Sequence, residues 1–191
     1  MQGLKTCIDQ FSFIDDRAYK EVQNCFSERQ LIKHDFFTQE GQIGKEIGFL
    51  KEGIVRAYHR DFDGKEFTKQ FFVAPCIIGA YSSLLTSEPS VIIQQALTNC
   101  SVAVAQYKDI IDLYDKHHSL ERLGRKIAEH YYLEKEKKLI EQAVFDAEKR
   151  YVIFKERFPD LESLIPQYHI ASYVGVTPTQ LSRIRKKRGY L

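Results

Sequence analysis

No apolar run in this 191-residue chain approaches the roughly 20 residues that a membrane-spanning helix needs. The opening Met1-Gln2-Gly3-Leu4-Lys5-Thr6-Cys7 lacks the apolar stretch of a signal peptide. Together these absences predict a cytoplasmic protein with no membrane partner. Cys7, Cys25, Cys76 and Cys100 stand far apart and form no CxxC pair, which argues against a zinc or iron–sulfur site and for reduced, structural thiols. Catalytic signatures are missing as well. There is no Walker loop, GxGxxG, HExxH or recognisable Ser/His/Asp arrangement, so an enzyme is not expected. The last absence is local: from Ser163 to Leu191 there is no Asp or Glu.

That same stretch holds Arg183, Arg185, Lys186, Lys187 and Arg188. The whole chain carries only +2, so the remainder is close to −3 and the excess positive charge is gathered at one end. Such a basic end is an electrostatic footprint for phosphate, the alternative being a solvated basic tail. Its local pattern favours the first reading. Pro166 suits a first helical position, Ile170 and Val174 share one face, and Gly175 falls where the chain must turn. Thr177-Pro178-Thr179-Gln180 matches a capping box with Pro just inside the helix. Leu181, Ile184 and the stem of Arg188 then form an inward stripe, while Thr179, Ser182, Arg183 and Lys186 face outward. Two short helices of this kind predict a helix-turn-helix whose second helix enters the major groove.

Upstream, residues 4–33 read as helical from Leu4, Ile8, Phe11, Tyr19, Val22 and Phe26. From about Asp35 to Tyr107 the texture changes to glycine-punctuated alternation. Ile47/Phe49, Val55/Ala57, Phe67/Lys69/Phe71, Val91/Ile93/Gln95/Leu97 and Val102/Val104 step in twos, and Phe62-Asp63-Gly64-Lys65 marks a hairpin turn. Many short strands at this spacing predict an antiparallel barrel or roll. Residues 109–145 contain no proline and revert to helix, with Leu120, Leu123, Ile127 and Tyr131 in one stripe and Leu133, Leu139, Ile140 and Val144 continuing the apolar positions less regularly. A long helix with a narrow apolar stripe is expected to be a dimerisation spine, against the plainer reading of a helix lying on its own domain. Residues 146–165 resume an amphipathic helix interrupted at Pro159.

The order of roll, long helix and helix-turn-helix resembles the CRP/FNR family of bacterial transcription regulators. The resemblance rests on Phe49-Leu50-Lys51-Glu52-Gly53-Ile54-Val55-Arg56 through Asp63-Gly64-Lys65-Glu66, on Ile78-Gly79, and on Ile170 through Lys187. It implies an α+β fold with three parts: residues 1–112 as a cyclic-nucleotide-binding-like sensor domain, 113–145 as a central dimerisation helix, and 146–191 as a (winged) helix-turn-helix domain. It also implies double-stranded DNA as partner, a homodimer, and RNA polymerase as a further contact. In that motif Pro178, Thr179 and Arg183 fall at base-contacting positions. The expected DNA-binding set is Thr177, Pro178, Thr179, Gln180, Ser182, Arg183, Arg185, Lys186 and Lys187.

One departure concerns the effector. Cyclic-nucleotide binders of the family carry a Glu after the glycine of the phosphate cassette and an Arg about ten residues later. Here Gly79 is followed by Ala80 and Tyr81, and the Arg position falls at about Ser90, before Val91. A buried phosphate without a cation partner is costly, so Gly79, Ala80, Tyr81, Ser90 and Val91 are expected to form a degenerate effector pocket. No cofactor is expected, cyclic AMP is not expected to bind tightly, and any other effector stays open. Phe71, Phe72 and Tyr81 are candidates for an apolar lining or for core. His34 and His59 are solitary, and His117-His118 is expected to be solvated. The chain stops three residues after Arg188, so little wing is expected to follow the recognition helix. The competing function is a ligand-binding module that acts through protein or RNA contacts.

Overall fold

The structure is a computed structural model that describes residues 2–189. The chain divides into two compact units, Met1–Ala57 with Phe71–Tyr131, and Tyr58–Gln70 with Tyr132–Leu191.

The first unit opens with α1 (Gln2–Asp9) and α2 (Asp16–Asn24), followed by the eight strands of a roll, of which β4 and β5 run on beyond this unit. These are β1 (Ser27–Leu31), β2 (Phe36–Thr38), β3 (Glu46–Glu52), β4 (Ile54–Arg60), β5 (Glu66–Val73), β6 (Cys76–Ile78), β7 (Ile93–Ala96) and β8 (Cys100–Gln106). They form two four-stranded sheets in the orders β1-β8-β3-β6 and β2-β7-β4-β5. The alternation of strand side chains decides which residues serve which core. In β3, Leu50 joins Val55, Ile78, Val102 and Val104 in the roll core, while its neighbour Phe49 meets Leu4, Ile8, Ala18 and Val22 of the two leading helices. Between β6 and β7 lies the short α3 (Tyr81–Thr86), and after β8 the short α4 (Tyr107–Ile111).

The helical reading of 4–33 holds over Gln2–Asp9 and Asp16–Asn24 and fails between them and beyond Asn24. Ser27–Leu31 is a strand, because its backbone pairs with β8, from Ser27 opposite Val104 to Leu31 opposite Cys100. Nothing within those five residues announces a partner some seventy positions away. The hairpin turn stands where the sequence places it: the Asp61 amide donates to the Lys65 carbonyl and the Gly64 amide to the Asp61 carbonyl. The stepping of β5 is less regular than the sequence suggests, since Phe67 is exposed and Thr68 and Phe71 are buried.

The long helix is α5 (His118–Val144), preceded by turns over 112–116. Its stripe has two fates. Leu120 and Leu123 are buried in the core beneath α1 and α2, and Ile127 packs against them, so the plainer reading applies to this half. Tyr132, Leu133, Leu139, Ile140 and Val144 are exposed. His117 also departs from expectation. Its side chain is only 9 % exposed and its Nε2 lies 3.2 Å from a Glu21 carboxylate oxygen, whereas His118 is solvated as expected.

The second unit contains the rest of α5, then α6 (Ala147–Arg157), α7 (Leu161–Leu164), α8 (Gln167–Val174) and α9 (Pro178–Lys187). Tyr151, Phe154, Ile170, Ala171, Val174 and Leu181 are essentially fully buried. Phe154 stacks on Tyr151 at 6.3 Å and lies 5.7 Å from both Phe158 and Tyr173. Ion pairs brace this core: Arg157 forks onto Glu141 at 2.6 and 3.3 Å and donates to the Tyr173 hydroxyl at 2.9 Å. No strand follows α9 among the described residues; the strand residues that belong to this unit are those of the β4–β5 hairpin.

Candidate nucleic-acid interface

Helix α8 begins at Gln167, with Pro166 in extended conformation at the cap position, one place earlier than its sequence pattern suggests. It ends at Gly175, whose φ of 79° is left-handed and whose amide donates to the Ala171 carbonyl. A side chain there would be strained, which is why this turn carries glycine. Arg150 closes the same corner by donating from Nε to the Val174 carbonyl at 2.8 Å.

Helix α9 then starts with the capping box read from the sequence. The Gln180 amide donates to Thr177 Oγ1 at 3.2 Å, and the Thr177 amide donates to Gln180 Oε1 at 2.9 Å, with Pro178 at the first turn. The side chains of Thr177 and Gln180 are thereby committed to holding the helix start, and Leu181 anchors the helix in the core at 1 % exposure. Thr179, Ser182, Arg183 and Lys186 stand exposed at the i, i+3, i+4, i+7 spacing of one helix face.

The basic end is more divided than its composition suggests. Arg185 is turned inward: its Nε lies 2.8 Å from Glu162 Oε1, with only 18 % and 11 % of the two side chains exposed. Glu162 also accepts from the Tyr151 hydroxyl at 2.7 Å and from Lys155 Nζ at 2.8 Å. Burial alone would raise the Glu162 carboxyl, but Lys155, Tyr151 and Arg185 hold it below the usual carboxylate range. Lys187 and Arg188 both reach Glu148, at 2.7 Å each. Arg188 therefore lies against a carboxylate rather than under the helix. Among the described residues, Arg183 and Lys186 are the members of the basic run that make no ion pair. Glu148, Arg150 and Glu162 were not anticipated from the sequence, because each acts on a partner more than twenty residues away.

The cassette region is filled by the chain itself. Ala80 and Ser90 are buried, and Tyr81 and Val91 point outward at 46 % and 62 % exposure. The Ser90 hydroxyl is consumed locally, donating to the Ile92 carbonyl and accepting from the Ile92 amide. Gln94, 2 % exposed, donates from Nε2 to the Gly79 carbonyl at 3.1 Å. A cavity of about 250 Å³ opens nearby between Phe37, Thr38, Ile43 and Gln106, and none of the five expected pocket residues lines it. Phe71 is buried, and Phe72 packs against the roll core of Leu50, Val55 and Val102 rather than lining a pocket with Tyr81. The cysteines are free thiols, and burial pushes Cys76 up to about 12. No cluster of metal-ligating side chains occurs among the described residues, and no helix there is long and apolar enough to cross a membrane.

Comparison with known proteins places these parts. Residues 28–117 match the cyclic nucleotide-binding domain family. The c-di-GMP responsive global regulator CLP of Xanthomonas campestris superposes with a TM-score of 0.70 at 17 % identity, over 92 % of each chain. FixK2 from Bradyrhizobium japonicum gives 0.73 at 18 % identity, over 85 % of this chain and 83 % of its own. A transcriptional regulator ascribed to the crp/fnr family, from Eubacterium rectale, gives 0.72 at 11 % identity, over 91 % and 83 %. The fold is that of the CRP/FNR regulators. At these identities the likeness is one of fold, and no curated protein matches the sequence significantly. For a CRP/FNR-type fold, the α+β architecture expected from the sequence is the one present: roll, long helix and C-terminal helix-turn-helix.

Proposed function

We propose that this chain is a dimeric, sequence-specific DNA-binding transcription regulator that does not respond to cyclic AMP. The observation that carries the reading is the outer face of α9. A capped, anchored helix presents Thr179, Ser182, Arg183 and Lys186, and the two cations on that face are the ones its own acidic residues leave unpaired. Arg183 reads a base edge, most simply guanine, and Thr179 or Ser182 contacts a neighbouring base or phosphate. Lys186 supplies phosphate attraction, joined by Lys187 where DNA competes with Glu148. Thr177, Pro178, Gln180 and Arg185 act by building the helix and its start.

The other parts follow the same division. Residues 1–112 serve as sensor, 113–145 as dimerisation helix and 146–191 as DNA-binding domain. Leu133, Ile140 and Val144 on α5 supply the apolar seam for a second copy. RNA polymerase is the further partner. The cassette supports insensitivity to cyclic AMP: it offers Ala80 and a locally bonded Ser90 where a carboxylate and a cation are needed.

The test is a salt-dependent gel shift of the full chain on a selected duplex, a random duplex and single-stranded RNA. Arg183→Ala should cost about 1–3 kcal/mol on the selected site and little on random DNA. Equal weakening on both would refute base reading, and preference for RNA would favour a module acting through RNA. A large thermal shift with cyclic AMP, screened beside cyclic GMP and haem, would refute the effector argument.

A further inference from the structure

β5 is the edge strand of its sheet, so one side of it lacks a strand partner. Glu66 and Thr68 are two residues apart and present backbone groups on the same side. Both are met by one side chain of the helix-turn-helix. Ser172 of α8 donates its hydroxyl hydrogen to the Glu66 carbonyl at 2.7 Å, and its oxygen accepts from the Thr68 amide at 2.9 Å and the Thr68 hydroxyl at 3.1 Å. One hydroxyl thus supplies the donor and the acceptor that a neighbouring strand would offer. A second tie lies one residue on: Lys138 of α5 donates to the Lys69 carbonyl, and its Nζ sits 3.6 Å from the centre of the Tyr173 ring, beside Ser172. The hairpin tip 58–70 belongs to the helix-turn-helix unit, while the same strands continue as residues 54–57 and 71–73 of the roll.

We infer that Ser172 and Lys138 form a latch that clasps the β4–β5 hairpin to the first helix of the helix-turn-helix and preorganises that unit for DNA. The physical basis is specific. Exposed strand edges are usually blunted by charge, proline or a bulge; this one is closed by groups on the helices that position α9. An edge bonded to α8 removes freedom from the two-helix unit before DNA is met, so the ordering cost at binding is smaller. The hairpin is also continuous with the roll, so a change that shifts β4 and β5 there reaches α8 through hydrogen bonds rather than through a loop. Ser172 is a positioning residue in this scheme and touches no DNA. The inference rests on the DNA-binding reading for its functional half only.

The test uses the full chain with Ser172→Ala, Lys138→Met and Thr68→Val, read by amide hydrogen exchange and by DNA affinity. Ser172→Ala should speed exchange of the Thr68 amide about fivefold or more, the change that one hydrogen bond of ordinary net strength makes in an equilibrium. The Ile170 and Leu181 amides should stay protected, which separates an opened latch from general unfolding. An unchanged Thr68 amide in Ser172→Ala overturns the latch. If Ser172→Ala unfolds the unit, Thr68→Val and Lys138→Met decide the matter, because they loosen the clasp from its other sides. With the latch open, DNA affinity should fall about fivefold. Affinity that is unchanged or tighter overturns preorganisation and leaves the DNA-binding reading intact. Absence of DNA binding by the unaltered chain would instead sink that reading, while the exchange of Thr68 still decides the clasp.

Discussion

Replacing Glu162 with glutamine should damage the helix-turn-helix more than its position on the short α7 suggests. Its carboxylate is 11 % exposed and holds three partners, Tyr151, Lys155 and Arg185, at 2.7, 2.8 and 2.8 Å. An amide keeps an acceptor for the tyrosine but leaves two cations, 27 % and 18 % exposed, facing a neutral group. Breaking a buried pair costs about 3–5 kcal/mol; the cations here keep some water, which lowers the expected loss to about 2–4 kcal/mol. Urea unfolding followed by helical circular dichroism measures it, since the chain has no tryptophan. A cycle with Arg185→Met should show coupling of at least about 1 kcal/mol. Because Arg185 is committed to Glu162, Arg185→Met alone should leave the salt dependence of DNA binding unchanged, whereas Lys186→Ala lowers its slope by about 1. A loss below about 0.5 kcal/mol, an additive cycle, or a salt slope that falls equally in both variants would refute this account. The sign with pH follows from the same contacts. The folded carboxyl titrates below its unfolded value of about 4.3, so its contribution is present above that pH and is lost as the solution is acidified through the folded value.

Thr177→Ala should cost about 1 kcal/mol by removing the cap, and urea midpoints should show the loss with the exposed face of α9 unaltered. Burial, together with the nearby Arg157 and Lys69, lowers Lys138 to about 7 against the pull of Glu141. Between pH 7 and about 10.5 the unfolded chain therefore holds a proton that the folded chain lacks, and stability rises with pH. Lys138→Met should flatten that rise relative to the parent chain in urea midpoints at pH 7, 8 and 9, and an identical slope in both would remove the assignment. Leu133→Glu combined with Ile140→Glu should turn a dimer into a monomer in analytical ultracentrifugation, and a dimer that survives both would move the interface off α5.

The parts of this molecule that its sequence displays are those made over short distances along the chain. The capping box spans Thr177 to Gln180, the hairpin turn spans Asp61 to Lys65, and a helical face recurs within a turn. Each involves groups that neighbouring residues place whatever the rest of the fold does. The missing carboxylate and cation after Gly79 were visible for the same reason, as residue types at fixed offsets. β1 escaped because its partner is β8, and His117 because Glu21 lies far ahead of it in the chain.

By itself, then, the sequence determined the order of roll, long helix and two-helix end, the capped start of α9, and which side chains that helix turns outward. It did so through periodicity and local hydrogen bonds. Only the tertiary structure decided how the charges at that end are spent. Glu162 and Glu148 engage Arg185, Lys187 and Arg188 across 23 to 40 positions, leaving Arg183 and Lys186 facing solvent. It alone set Ser172 against Glu66 and Thr68, more than a hundred residues away. An ion pair or an edge hydrogen bond depends on distance in space, and separation along the chain carries no record of that.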